Sequence, residues 1–555
     1  MARPSQPTLG SLHSVVVGLT PLQSLGLSFV CGVLTLFAFA PFNIWPVYIL
    51  SVSLLVWLLD GAHAKPHWGR AMFARGWAFG AGFTIASMHW TASPFLVDPV
   101  RHIWFIWMPL ILLPAGLGLF FGAGSLAAGR FWNKTPGRIF LFAVCLSLSE
   151  ALRGIVFGGF PWNWPGMIWV PGDAISQTAS LLGLWGLSIL TLMLAASPAA
   201  LADYRPSGAA FGRVAPLLIG VVVFVTAWAW GSQRLQHQEQ DTLTSVRIVD
   251  AQIDQMQKYP VSPDGNPVET ARLRQQAAID ILNAYLIGTG DDFLDEPRLV
   301  VWPEAALPMP LLQDPDALDA TTLQLGDRTL IVGTSRIERQ PDGDTNWFNS
   351  LAVLNERSRF SGPLAIYDKH RLVPFGELAA ADFIPFGHAI SAILPGALQQ
   401  QATAGFTPGP AATPLRLDDR TTFLPLICYE ALFPGLVRRT AGDSHFIVNI
   451  SIDSWFGEGV GPQQHYAHAR YRAIETGRPL VRAANMGVSA VVNAYGREVS
   501  SITSLKTHKL VPLKVVDSTV PSQKISTTYG RFGIVFSSIA IVMLIMFTYF
   551  YGRKT

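Results

Sequence analysis

At 555 residues the chain has room for several domains, yet only 14% of it is charged, against about 25% in soluble domains. A mean hydropathy of +0.33 and 17 tryptophans point to a membrane protein, with indoles suited to bilayer interfaces. A net charge of +3, with no basic cluster interleaved with aromatics, gives no footing for nucleic acid as a partner.

From the N-terminus, apolar stretches long enough to cross the hydrocarbon core recur near 22–40, 43–59, 71–92, 103–127, 137–157, 179–202 and 213–231, with a last one near 532–551. They predict a polytopic α-helical membrane domain of about eight transmembrane helices. The run "FAFAP" carries an A-x-A-like pattern, but Pro41 follows it, Arg3 is the one strong cation before it, and more spans come after. It reads as a retained span rather than a cleaved signal peptide. Lys65, Arg70, Arg75, Arg130, Lys134, Arg138, Arg205 and Arg213 fall in alternate loops, and Arg553 and Lys554 in the tail. The positive-inside rule then puts the N-terminus in the cytoplasm and residues 232–531 outside it. The predicted domains are 1–231 (seven spans), 232–242 (a polar linker), 243–520 (a domain outside the cytoplasm) and 531–552 (the returning span).

Past the linker, strand-like and helix-like patterns alternate. "SVRIVDAQ", "PRLVVWPE", "RTLIVGTS", "NSLAVLN" and "PLAIYDK" read as strands, with a helix over 268–286. After Cys428 come a helix over 431–441, the strand "HFIVNIS", a helix over 463–476, and the strands "PLVRAAN" and "VSAVVNAYG". The pattern predicts sheets covered by helices, a layered α/β or α+β sandwich. Residues 374–407 lack periodicity and hold Phe375, Phe383, Phe386, Ile390, Ile393 and Leu394. The segment reads either as ordinary packing or as a lid over an acyl chain.

Three ionisable residues each end an apolar strand: Glu304 after "LVVWP", Lys369 after "LAIYD" and Cys428 after "LPLI". The rim of an α/β sheet is where ligand and catalytic groups gather. Cys31 and Cys145 lie in apolar spans and read as packed small hydrophobes, which leaves Cys428 as the lone cysteine of the outer domain. Each of the three has a plain structural reading, as a capping carboxylate, a solvated ammonium and a buried thiol. Together they fit covalent catalysis. A thiolate is the nucleophile, and free cysteine has a pKa near ~8.5. A lysine beside it favours the thiolate, and a carboxylate can take and return the proton, worth roughly 10²–10⁴-fold. Lysine and backbone N–H groups can stabilise a tetrahedral oxyanion.

"VVWPEAALP", "YDKHRLVPFGE" and "LICYEALFP" resemble the Glu, Lys and Cys motifs of the nitrilase superfamily. "NISIDSWFG" and the segment from "QQHYAHARYRAIETGRP" to "VVNAYG" extend the likeness. With seven apolar spans before it and one after, and with the loop "GGFPWNWPG", the whole chain resembles the apolipoprotein N-acyltransferases of the bacterial inner membrane. That resemblance implies an αββα nitrilase-like sandwich in the periplasm and an acyl transfer in two steps. Cys428 would attack a phospholipid ester, phosphatidylethanolamine being the typical donor, and form a thioester. The α-amine of a diacylglyceryl-cysteine at an apolipoprotein N-terminus would then take the acyl chain. Glu304 would be general base and acid, and Lys369 would stabilise the oxyanion.

Glu377 in "VPFGE" matches a second carboxylate that positions Lys369 or the amine. Tyr429 and Glu430 flank the nucleophile, and Glu430 is placed to order the elbow backbone. Trp162 in "GFPW" reads as a lipid contact or as one of an aromatic belt. Tyr259 stands where the family has a tryptophan, which weakens transfer of a lid role to it. The reaction needs no cofactor and no metal, and the chain is expected to act as a monomer. His465 and His468 have zinc-like spacing but no third ligand. Arg472, Glu475 and Arg478 read as structural ion pairs. A cysteine protease would need His370 or His445 as base, and neither sits in a protease-like setting. Two further readings stay open: a membrane-tethered amidase using the same triad with water as acceptor, and a degenerate lipid-binding scaffold, which has no need of all three groups.

Overall fold

The computed structural model describes residues 9–97, 103–133, 135–203, 210–236, 241–290, 298–341, 343, 345–374, 376–378, 405–501, 504–507, 512–522, 524–539, 541–543 and 546. These form two units, one from residues within 1–237, 459–467 and 531–555, the other from residues within 238–458 and 468–530.

The first unit is helical. Five of its described helices are long and apolar enough to cross a membrane: Pro21–Ala38, Trp45–His63, Ile103–Gly129, Ile175–Ala202 and Arg213–Arg234. Two more coincide with expected spans. Trp68–Met88 has 21 residues but includes Arg70 and Arg75, and Arg138–Arg153 has 16 residues with three charged groups. Much of 532–551 lies outside the described residues. Trp45–His63 and Ile175–Ala202 are the most enclosed, while Ile103–Gly129 and Arg213–Arg234 leave most of their apolar surface uncovered, as lipid-facing helices do. Helices Pro21–Leu34 and Trp68–Met88 touch through glycines. A Cβ at Gly32 would lie 2.0 Å from the Phe79 carbonyl oxygen, and one at Gly82 would lie 2.2 Å from that of Phe29. Small residues allow this where water supplies no drive for helices to associate.

The second unit holds two sheets. Among the described residues the first has seven strands, in the order β12 (Ser504–Thr507), β13 (Pro512–Pro521), β1 (Thr242–Asp250), β2 (Leu299–Val301), β3 (Thr329–Arg339), β4 (Thr345–Leu354) and β5 (Ala365–Asp368). The second has six: β11 (Glu498–Ser501), β10 (Ala490–Val492), β9 (Leu480–Asn485), β8 (Phe446–Ile452), β7 (Thr422–Ile427) and β6 (Leu415–Arg416). Strands β1, β2 and β3 are parallel. Strand β4 opposes both β3 and β5, so β5 runs the same way as β1–β3. The chain therefore leaves β2 and β5 at one rim. Strands β7, β8 and β9 are likewise parallel.

The sheets lie face to face, β1 against β9 and β4 against β7. Helix Pro267–Gly290 covers the outer face of the first sheet, where Ile281, Ala284 and Tyr285 join Val249, Val300 and Trp302 in one core. Both faces of β2 and β8 are covered, and every residue of each is buried, which accounts for the unbroken apolar sequence of β2; in β8 the buried Asn449 and Ser451 interrupt the apolar run. Helices Pro434–Thr440 and Gly461–Thr476 carry the chain from β7 to β8 and from β8 to β9. Right-handed crossovers of this kind put both connections on one side of a sheet.

Candidate active site

Strand β2 ends in "WPE". The Trp302 N–H still reaches the Ile331 carbonyl at 2.9 Å, but Pro303 has no N–H and stops the ladder. Glu304 follows, and Ala305 takes a left-handed φ of 43°, uncommon for a residue with a side chain. Gly333 on β3 makes room for this turn, since a Cβ there would lie 2.4 Å from Glu304 Cα. Strand β5 delivers Lys369, whose N–H donates to the Asn349 carbonyl at 2.8 Å. Arg336 holds the preceding Asp368 carboxylate at 2.7 Å. Cys428 leaves β7 with φ 49°, an elbow that turns the thiol off the strand direction.

The carboxylates and the lysine meet. Lys369 Nζ donates to Glu304 Oε1 at 3.1 Å and to Glu377 Oε1 at 2.9 Å. Asn349 Nδ2 donates to the same two oxygens, at 2.7 and 2.8 Å. The Ile452 N–H, at the end of β8, donates to Glu304 Oε2 at 2.9 Å, and the Val373 N–H donates to Glu377 Oε2 at 2.8 Å. Glu304 and Lys369 are almost wholly buried. An ammonium has three donors, and Lys369 spends two of them among the described residues.

Charge at this site follows from burial and neighbours. Burial works against the Lys369 ammonium, but Glu304, Glu377 and Cys428 outweigh it and hold its pKa well above the ordinary lysine value. Burial raises the Cys428 thiol well above its usual range, and the Glu304 carboxylate raises it further. Lys369 and a hydrogen bond with Ser451 pull the other way, while Asp453 adds to the rise. Cys428 is therefore held as a thiol rather than a thiolate, with the Glu304 carboxylate acting on it. Lys369 does favour the thiolate, as its charge requires, but burial and Glu304 prevail. Asp453 is itself paired with Arg482 at 2.9 Å.

Glu430 joins the nucleophile's elbow to the lysine's segment. Its Oε2 accepts the Ile427 N–H at 2.8 Å, and its Oε1 accepts the Tyr367 hydroxyl at 2.6 Å and the N–H groups of His370 and Arg371 at 2.9 and 3.1 Å. Tyr429 is buried, its ring 5.0 Å from Phe433 in an edge-on contact. Tyr259 is 45% exposed and is not among the residues hydrogen bonded to the triad.

Trp162 belongs to the first unit. Its indole is buried in protein, 4.7 Å from Trp90, and donates to Gln464 Oε1 at 2.8 Å. Arg153 holds its loop by donating to the carbonyls of Phe160 and Trp162 at 2.6 and 3.0 Å. Residues 375 and 379–404, most of the lid-like segment, lie outside the described residues. Arg472 and Glu475 form a buried pair at 2.9 Å, and Arg478 donates to the Ser444 carbonyl at 2.8 Å. Among the described residues no three His, Cys, Asp or Glu side chains are placed to hold a metal.

A carbon-nitrogen hydrolase family model matches residues 296–515, so the second unit is of the nitrilase-like class. A second model, the apolipoprotein N-acyltransferase N-terminal domain, matches residues 31–197. The apolipoprotein N-acyltransferase of Rhodopseudomonas palustris is 33% identical over 531 residues, covering 94% of each chain. That of Agrobacterium fabrum is 35% identical over 486 residues, 85% of this chain and 86% of the relative. That of Brucella melitensis is 33% identical over 514 residues, 90% of each. The chain belongs to the apolipoprotein N-acyltransferase family.

Proposed function

We propose that this chain moves a fatty acyl group from a phospholipid to the N-terminal α-amine of a diacylglyceryl-apolipoprotein, through a thioester on Cys428. Phosphatidylethanolamine is the donor and the enzyme acts as a monomer. Residues 1–231 are a seven-span membrane domain, 232–242 a linker, 243–520 the catalytic domain on the periplasmic side of the inner membrane, and 531–552 the eighth span.

In the first half-reaction Glu304 takes the thiol proton as Cys428 Sγ attacks the ester carbonyl carbon. The oxyanion accepts from the third N–H of Lys369. The ester C–O bond then breaks, and Glu304 returns the proton to the departing lysophospholipid alkoxide. In the second, the neutral α-amine attacks the thioester carbon. An α-amine pKa near ~8 leaves a useful neutral fraction at pH 7. Glu304 takes the amine proton, the C–S bond breaks, and the proton goes back to sulfur. Splitting the transfer this way replaces one hard step by two easier ones. Glu377 and Asn349 hold Lys369 and Glu304, Glu430 sets the elbow, and Tyr429 packs beneath it. Trp162 supports the loop of the membrane domain that bears it, and Tyr259 lies at the edge of the site.

The observation that carries this reading is the Glu304–Lys369–Glu377 cluster acting on a buried cysteine at a strand end. Incubation with a phospholipid bearing an isotope-labelled acyl chain should add that acyl mass to the peptide containing Cys428. Cys428→Ala should add none and form no N-acylated peptide. Label on Cys31 or Cys145 instead would refute the assignment. Free fatty acid as sole product, with an S-diacylglyceryl peptide present, would make the chain a hydrolase.

A further inference from the structure

Glu304 has a second lysine near it. Lys258 ends the short helix Gln255–Lys258, is 2% exposed, and donates its ammonium to the Ala305 carbonyl. Ala305 is the residue with left-handed φ that turns the chain immediately after Glu304. Among the described residues Lys258 is the donor recorded on that carbonyl. The backbone that presents Lys258 is fixed at several points. Ile253 exchanges two hydrogen bonds with the Asn485 side chain, at 3.0 and 2.7 Å. Gln255 Nε2 donates to Ser454 Oγ at 2.9 Å, and Asp254 caps the turn by accepting the Gln257 N–H at 2.8 Å.

We propose that Lys258 is a positioning residue for the general base: it pins the turn that aims Glu304 and supplies a second positive charge facing that carboxylate. The inference rests on the reading of Glu304 as base. Without Lys258, two carboxylates, Glu304 and Glu377, share the single ammonium of Lys369. Other charged or titratable groups around the cluster, among the described residues, include Cys428, Asp453 (already paired with Arg482), Glu430, on which Lys369 acts, and Tyr259, whose ring centroid lies 5.8 Å from Lys258 Nζ. A buried ammonium with one strong acceptor is expensive unless a counter-charge is near, and Glu304 is the charge that acts on Lys258. Burial lowers the Lys258 pKa to about 8, against the pull of Glu304, so the group is mostly charged at pH 7. Its charge favours the carboxylate form of Glu304, the form that can accept the Cys428 proton.

Removing the charge takes away a positive field that favours an anion beside Cys428, so the acidic limb of acyl-enzyme formation moves up. The full-length enzyme in detergent is mixed with excess labelled phosphatidylethanolamine from pH 4 to 9, and the rate of Cys428 acylation is followed by mass spectrometry. Lys258→Met should move the acidic limb up by roughly one pH unit, the low end for losing a nearby opposite charge, and slow acylation about tenfold at pH values on that limb. Lys258→Arg should keep the wild-type limb. Lys258→Gln keeps a donor without charge, so it should shift the limb like Lys258→Met, and it decides the matter if Lys258→Met does not fold. A limb unmoved in the folded uncharged variant overturns the inference, whatever its rate. No acyl mass on Cys428 in the wild type would instead overturn the reading of the site.

Discussion

Each unit of the molecule buries one cation between two carboxylates, and the two clusters do different things. In the membrane unit Arg138 sits between Asp60 and Asp203. Its Nε and Nη2 donate to Asp60 at 2.9 and 3.0 Å, its Nη1 and Nη2 donate to Asp203 at 2.8 and 2.6 Å, and Nη1 also reaches the Thr135 carbonyl at 3.1 Å. A guanidinium has five N–H donors, and all are spent. In the other unit Lys369 spends two of three among the described residues, beside a thiol. A saturated cluster can only hold structure together. The cluster with one donor left can meet a charge that develops during a reaction. On the proposed mechanism, reactivity resides in the unspent donor and the adjacent carboxylate, not in the collection of charges.

The largest effect should come from breaking the reactive cluster. Glu304→Gln keeps the shape of the side chain, but an amide cannot take the Cys428 proton. Acyl-enzyme formation should fall by roughly 10²–10⁴-fold, the usual worth of a positioned base. Chemical denaturation should show a smaller change, because Gln can still accept from Lys369 through its carbonyl. If acylation persists at the wild-type rate, the thiol loses its proton by another route and the contrast between the two clusters fails.

The saturated cluster should break the other way. Arg138→Met leaves Asp60 and Asp203 without their cation, and removal of one partner from a buried pair costs roughly 3–5 kcal/mol. The neutral donor Trp132 Nε1, 3.0 Å from Asp60, and His13 Nε2, 3.4 Å from it, offset little of that. The variant should lose heat resistance and yield in detergent, while the acylation rate per folded molecule stays within about twofold of wild type. Arg138→Lys should also be destabilised, because three donors on one point cannot replace a fork that binds two carboxylates. A folded Arg138→Met that cannot acylate Cys428 would show that this cluster is more than structural.

Glu304, Lys369 and Cys428 were legible because each follows an apolar strand, but the expected single rim is in fact made by two sheets, β2 and β5 of the first and β7 of the second. What assembled them was not. Strand β13 pairs with β1, Val246 opposite Ser518, and no local pattern announces a partner that distant. Asn349 and Lys258 were missed for a different reason. A single amide in "WFNSLAVL" and a single lysine in "QMQKYP" look like any polar residue until the strands bring Glu304 to them. Helix Pro315–Leu325 did carry a signal that went unread, since Asp314 before Pro315 is a strong start, and Asp314 accepts the Ala317 N–H at 3.0 Å. Trp162 was legible as important but not in its setting, because a tryptophan in an apolar loop has the same sequence whether it faces lipid or is packed in protein.

Trp162 also supplies the smallest of the effects. If its role is to hold the loop, the useful features of the indole are its bulk against Trp90 and its one donor to Gln464. Trp162→Phe keeps most of the bulk and removes the donor, leaving Gln464 Oε1 without its partner in a buried place. The cost should be about 1–3 kcal/mol of stability, read as a modest fall in melting temperature. Acylation of Cys428 by a saturating phospholipid should change less than about threefold, with KM and kcat moving little. Loss of donor binding with stability intact would reverse this, making Trp162 a lipid contact. The contacts from Arg153 to the carbonyls of Phe160 and Trp162 would then serve to keep a binding loop in place.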